Sequence, residues 1–271
     1  MANNLVSERQ VWTRQPPRVV DVDSRAVHCI VGNAFYDYAT NSFPITNNLI
    51  TQTPTADGLA LLREDANRYI EFPLSKKEVS TEYTFIFYGQ FPTAQVGAAW
   101  GIGNASSYGI LGVYTTGSSQ LAGYTYNTAG TSINAIITTN LAGKTGVFIS
   151  RWKSGETMSV WSLVAGLVYK ATSASSLTGS VRTTTSVFRT NPLANSVQGT
   201  HATNLVVLLN SKITDSEVTS LLNNPWQLIE KKKRTIFIPS SASGNEYIIT
   251  PSGSISFIGT TTTNKIKIIP T

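Results

Sequence analysis

The chain has 271 residues, 41% of them hydrophobic and only 13% charged, about half the ~25% usual for soluble domains, and its length suits one large sandwich or barrel. Thr, Ser, Asn and Gly replace the missing charge; that composition excludes intrinsic disorder, and the wealth of β-branched and aromatic residues excludes a helix-rich enzyme. The net charge of +6 comes from scattered Lys and Arg plus one run, Lys231 to Arg234, rather than from a basic face interleaved with aromatics, so nucleic acid is not an expected partner.

Residues 1–28 read as an extended arm. Met1 to Val11 carry Asn3, Asn4, Glu8 and Arg9 with no apolar core, so no signal peptide is expected. Pro16 and Pro17 forbid helix and favour an extended course. Such an arm either reaches a neighbouring subunit, with Trp12 and Arg14 as candidate attachment residues, or lies as an edge strand on its own domain. Cys29 is the single cysteine, which excludes an intramolecular disulfide; beside His28, and far from His201, it reads as a packing residue and not as a metal ligand.

From 29 to 230 the sequence repeats short apolar or alternating runs divided by Gly, Ser, Thr and Asn, the pattern of an all-β, antiparallel jelly-roll sandwich. Tyr83 to Tyr88 is large on both faces, as in a central strand covered on both sides. Strands follow at 108–114, 121–126, 133–138, 146–152 and 158–164. In the last, Met158, Val160, Ser162 and Val164 share one face and Ser159, Trp161 and Leu163 the other. Ala165-Gly166 turns the chain into Leu167 to Lys170, and further strands are expected at 185–189 and 203–209. Thr214-Asp215-Ser216-Glu217 is a capping box that opens one helix, with Val218, Leu221 and Leu222 as its apolar stripe and Asn223-Asn224-Pro225 as its stop. Trp226 is expected to pack onto the sandwich.

Residues 231–271 form a basic linker and a small β-rich extension. Ile236 to Ile238, Tyr247 to Ile249, Ile255 to Ile258 and Lys265 to Ile269 are too short to bury a core of their own, so they are expected to make a satellite sheet, against the sandwich or with other subunits. Lys231, Lys232, Lys233 and Arg234 are candidate attachment residues. No apolar run approaches the ~20 residues that span a bilayer as a helix, and no membrane partner is expected.

The order of features resembles a laminin-G-like, concanavalin-A-like domain: Arg14 to Pro17, Phe35-Tyr36-Asp37, Asp57 to Leu61 and Tyr69 to Phe72 look like its entry, and Gly146 to Trp152 and Ser159 to Lys170 like its central strands. Leu205 to Leu209, the capped helix and Asn223 to Leu228 resemble the ending of such domains in virion proteins of tailed bacteriophages. The resemblance implies a non-enzymatic virion structural protein (head decoration, head fibre or tail-associated), located in the virion, homo-oligomeric, and partnered with other capsid or tail proteins.

Sandwiches of this class also include glycosidases and calcium lectins. No strand carries the paired carboxylates of a glycosidase; Glu156 sits alone in a hairpin turn. Asp21, Asp23, Asp37, Asp57 and Asp65 are scattered and do not form a calcium set, and neither histidine lies in a nucleophile context. The expectation is no catalytic residues, no metal and no cofactor. Trp100, Tyr108, Tyr114, Tyr124 and Tyr126 cluster among Gly and Thr, either filling the core or, as exposed rings, stacking on a host surface glycan; Trp100, Tyr108 and Tyr124 are the candidate glycan contacts.

Overall fold

The computed structural model describes residues 21–64, 67–75, 79–93, 97–104, 107–116, 118–183, 187–190, 200–230, 245–249, 255–260 and 266–268. Residues 1–231 and 232–271 are two compact units.

The first unit is an antiparallel jelly-roll sandwich of two sheets. The first sheet contains β1 (Ala26–Val31), β3 (Thr51–Thr55), β4 (Gly58–Arg63), β6 (Glu82–Gln90), β12 (Thr145–Lys153), β13 (Thr157–Val164), β14 (Leu167–Ser176) and β16 (His201–Leu209). Their order is β14-β13-β12-β6-β16-β4-β3. One edge of β16 is shared: its start pairs with β4 through Thr203↔Leu61, and its end pairs with β1 through Leu205↔Val31 and Leu209↔Ala26. The second sheet contains β2 (Thr46–Asn48), β5 (Tyr69–Phe72), β7 (Gly97–Ala98), β8 (Trp100–Asn104), β9 (Ser107–Thr115), β10 (Gln120–Tyr126), β11 (Ser132–Asn140) and β15 (Val187–Thr190). It runs β11-β10-β9-β8-β15-β5-β2, with β7 also on β9.

Alternation along each strand decides where its side chains go. In β13, Met158, Val160 and Val164 enter the core between the sheets, while Trp161 and Leu163 point to the outer face of the first sheet. In β6, Phe85 and Phe87 go inward and Ile86 and Tyr88 outward, as the doubly apolar run predicts. The core between the sheets joins these to Phe148, Val206 and Leu208 and, from the second sheet, to Trp100, Ile110, Leu121 and Phe188. The outer face of the first sheet has its own apolar cluster, built on Ile149, Leu205, Val207 and Leu209 and covered by the helix and the segment after it.

That helix, α1 (Asp215–Asn223), has the expected capping box. Thr214 Oγ1 accepts from the Glu217 amide at 3.2 Å, and Glu217 Oε2 accepts from the Thr214 amide at 2.9 Å. Arg25 donates to Glu217 at 2.8 Å, and Arg151 pairs with Asp215 in the first turn, where a carboxylate also meets the positive end of the helix. Val218, Leu221 and Leu222 are buried against the sheet. Asn224 ends the helix and begins a 3-10 turn over Pro225–Leu228 by accepting from the Trp226 amide at 3.1 Å.

Ala26, Val27 and His28, which the sequence groups with the arm, belong to β1. All three are buried against β16, so the sandwich starts at Ala26. Just before it, the Asp23 amide donates to Leu228 O at 2.9 Å, which ties the chain to the 3-10 turn. The second unit is a three-stranded sheet of β17 (Asn245–Ile249), β18 (Ile255–Thr260) and β19 (Ile266–Ile268), ordered β18-β17-β19 with β17 and β19 parallel. Ile236 to Ile238 lie outside the described residues.

Candidate functional site

At one end of the first sheet, the turn between β3 and β4, the end of β6, the start of β12, the hairpin tip between β13 and β14, and the chain after α1 surround a cleft of about 730 Å³. That volume lies within the roughly 300–1,000 Å³ usual for ligand sites. Tyr88 and Trp226 supply its aromatic wall, with ring centroids 5.6 Å apart and planes at 87°. Asp57, Thr145, Asn223, Asn224 and Glu230 bring polar groups to it, and no Lys, Arg or His is among its described lining residues.

Local structure explains each position. Ala56 and Asp57 are the two-residue loop of a hairpin closed by Thr55↔Gly58, and the Asp57 amide donates to Thr55 Oγ1 at 3.2 Å. The carboxylate of Asp57 is half-buried at the tip. Ala165 (φ 49°) and Gly166 (φ 81°) both take the left-handed conformation a two-residue hairpin with right-handed twist requires, which sets the opposite wall. Gly146 lines the floor because a Cβ there would lie 2.3 Å from Leu163 O. Pro225 and the Asn224 cap hold Trp226 against Tyr88, with its ring mostly buried.

A second cavity of about 480 Å³ is lined by Thr55, Asp57, Gln90, Thr145 and Asn204. Asn204 is the extra residue of a β-bulge: Thr203 faces Gly89 and Leu205 faces Tyr88, so Asn204 has no partner in β6. Gly89 accommodates the bulge with φ +150°, and a Cβ on it would lie 2.1 Å from Ala202 O.

Of the candidate glycan contacts, Trp100 and Tyr124 are placed away from the cleft. Trp100 cannot contact a glycan. It is wholly buried between the sheets, stacked on Phe188 at 5.2 Å, and its Nε1 donates to Thr203 Oγ1 at 2.9 Å. Tyr124 stands half-buried on the outer face of the second sheet, edge-to-face with Tyr114 at 4.9 Å, and does not line the cleft at the end of the first sheet. Burial first, then the neighbouring Tyr124 and Tyr126, push the pKa of the Tyr114 hydroxyl above its ordinary range. The side chain of Tyr108, and Trp12, Arg14, Lys231, Lys232, Lys233 and Arg234, lie outside the described residues.

The carboxylates and histidines also find their roles. Glu156 pairs with Lys212, whose hydrogen bond holds its carboxyl below the usual range; it does not line the cleft. Asp23 is paired with Arg25 at 2.9 Å. Asp37 and His28, read separately on sequence, meet in the interior: Asp37 Oδ2 lies 2.6 Å from His28 Nδ1, and Asp37 Oδ1 accepts from the amides of Cys29 and Ala39. His28 Nε2 faces the Ser75 amide at 3.5 Å and its ring stacks on Phe188, so the pair ties loops to β1. Burial pushes the Cys29 thiol well up, which leaves it inert.

Asp57, Tyr88, Thr145 and Trp226 of the cleft, and Asn204 of the cavity beside it, come from distant parts of the chain, and sequence reasoning did not unite them. Two local signals were present: Asp57-Gly58 is a hairpin dipeptide, and Gly89 inside an apolar strand marks a bulge.

No protein-family model and no curated protein matches the chain. Solved structures do match. The binding domain of Paraclostridial Mosquitocidal Protein 1 superposes with a TM-score of 0.56 at 14% identity, over 74% of this chain and 52% of that one. The receptor-binding domain of the botulinum neurotoxin C/D mosaic serotype gives 0.58 at 7%, over 73% and 51%. The botulinum neurotoxin serotype D ligand-binding domain, solved in complex with N-acetylneuraminic acid, gives 0.57 at 8%, over 74% and 51%. This chain spans about half the length of those structures, and at these identities the likeness is one of fold.

Proposed function

We propose that the sandwich is a non-catalytic carbohydrate-binding module and that the cleft between Asp57, Tyr88 and Trp226 is where it holds a glycan. The cleft itself is the observation that carries this reading. A sugar ring offers an apolar face to an aromatic wall and hydroxyls to carboxylates and amides, and the cleft supplies both in one concave site. Sandwiches of the same fold serve as binding domains in toxins, one of them solved with a bound sugar acid, which supports a binding role over a catalytic one. Titration of a glycan array with the full-length protein tests it. Binding should appear, and Asp57→Ala should weaken it about tenfold or more, the scale of a hydrogen bond to a charged group. Absence of binding to every glycan at high concentration contradicts the reading.

The setting we propose is the virion of a tailed bacteriophage, where the sandwich is displayed as a head or tail component and contacts host surface glycans. The resemblance of Asn223 to Leu228 to the ending of phage virion domains supports this, as does the second, small β unit over 232–271, the element we assign to attachment or oligomerisation. Electron microscopy of particles with and without the protein tests it; an unchanged particle surface contradicts it.

A further inference from the structure

Resting on the carbohydrate-binding reading, we infer that the ligand is an uncharged oligosaccharide of several residues, held across two adjoining subsites of opposite character. The two cavities share Asp57 and Thr145, so they form one groove along the end of the first sheet. Each alone, at about 730 and 480 Å³, is within the roughly 300–1,000 Å³ range that takes a drug-sized ligand, so one sugar ring fills only part of the groove. The end at Tyr88 and Trp226 is aromatic and suits ring stacking. The end at Gln90 and Asn204 is made of amides.

Proton accounting gives that amide end its polarity. Thr55 donates its only hydroxyl proton to Gly58 O at 2.7 Å, so towards Asn204, at 3.0 Å, it can only accept. Asn204 therefore turns its NH2 to Thr55. Its Oδ1 has no partner among the described residues, although the residue is 1% exposed. Gln90 likewise donates its Nε2 to Gly143 O at 3.3 Å, which leaves Oε1 as an acceptor. With the Asp57 carboxylate between the two ends, Asn204, Gln90 and Asp57 present acceptors to a ligand, while Asn224, whose Oδ1 is taken by the Trp226 amide, keeps its NH2 as a donor at the aromatic end. Sugar hydroxyls, which donate, fit this set. A carboxylated or sulfated sugar would bring anionic acceptors against the two carboxylates that line the groove, Asp57 and Glu230. The bulge at Asn204 is what aims this amide, since a regular strand would pair the position with β6.

The test is a titration of the full-length protein with gluco-, galacto-, manno- and N-acetylglucosamine oligosaccharides of one to six residues, beside sialylated and sulfated counterparts. Affinity should rise about tenfold or more from one residue to four, and the neutral member of each matched pair should bind more tightly. Asn204→Ala and Gln90→Ala should each remove much of that length dependence. Gln90→Ala keeps the test intact if the buried Asn204 proves necessary for folding. A monosaccharide that binds as tightly as its hexamer, or a preference for the sialylated members, overturns the inference while leaving a carbohydrate-binding module in place. Failure of every sugar to bind overturns the module and the inference together.

Discussion

The groove at the end of the first sheet and the tyrosine face of the second sheet are both rich in aromatic rings, yet they differ in what surrounds those rings. On the second sheet, Tyr114 and Tyr124 pack edge-to-face on adjacent strands, and the pairs Tyr124↔Asn134 and Tyr126↔Ser132 continue a regular ladder. At the first sheet, α1 and the Pro225–Leu228 turn cover the outer face, and the two hairpin tips and the Asn204 bulge bring polar groups to the gap they leave. Irregular elements over a regular sheet, rather than aromatic content, make the concave site.

The contrast can be broken or sharpened by substitution. The largest effect is expected below the tyrosine face. A Cβ on Gly112 would lie 2.2 Å from the ring of Phe85, so Gly112→Val should destabilise the sandwich by about 1–3 kcal/mol or more, seen as a lower denaturant midpoint. An unchanged midpoint would mean that the glycines of this strand face solvent and that the surface is open to a ligand.

Next is the cover over the groove. Thr214→Ala should cost about 0.5–2 kcal/mol by removing the N-cap of α1, and coincident denaturation curves would contradict the cap. The same box has a pH signature. The Thr214 amide foremost, and then Arg25, holds the Glu217 carboxyl below its usual range, against an opposing effect of burial. A depressed folded value stabilises fully above the ordinary glutamate range and loses that stabilisation as pH falls through the folded value. Glu217→Gln should therefore flatten the acid limb of stability against pH; parallel limbs in variant and parent would remove the ionised box from the account. The smallest effect is expected for Tyr124→Ala on glycan affinity, which should change by less than about twofold. A loss comparable with that of Asp57→Ala would move the site to the second sheet.

Much of this fold was legible in the sequence where the signal is local. The capping box, the Ala165-Gly166 turn and the two faces of Met158 to Val164 each depend on residues within a few positions of one another, and the structure has them as read. For Trp100 the sequence left core and glycan contact both open, and the structure has it in the core. Gly112 and Gly123 are small because Phe85 lies against one and the end of Met158 against the other, inside the core. The groove left almost no local trace. Asp57, Tyr88, Thr145, Asn204 and Trp226 are brought together by strand order and by a one-residue bulge, and neither is written in the residues beside them. The partnership of His28 and Asp37 was hidden in the same way, since each alone looks like an isolated polar residue.

The most direct measurement is a crystal structure of the full-length protein with the tightest-binding glycan of the array. The account predicts sugar density in the groove, one ring against Tyr88 and Trp226 and hydroxyls within hydrogen-bond distance of the Asp57 carboxylate. Density over Tyr114 and Tyr124 with an empty groove would contradict it.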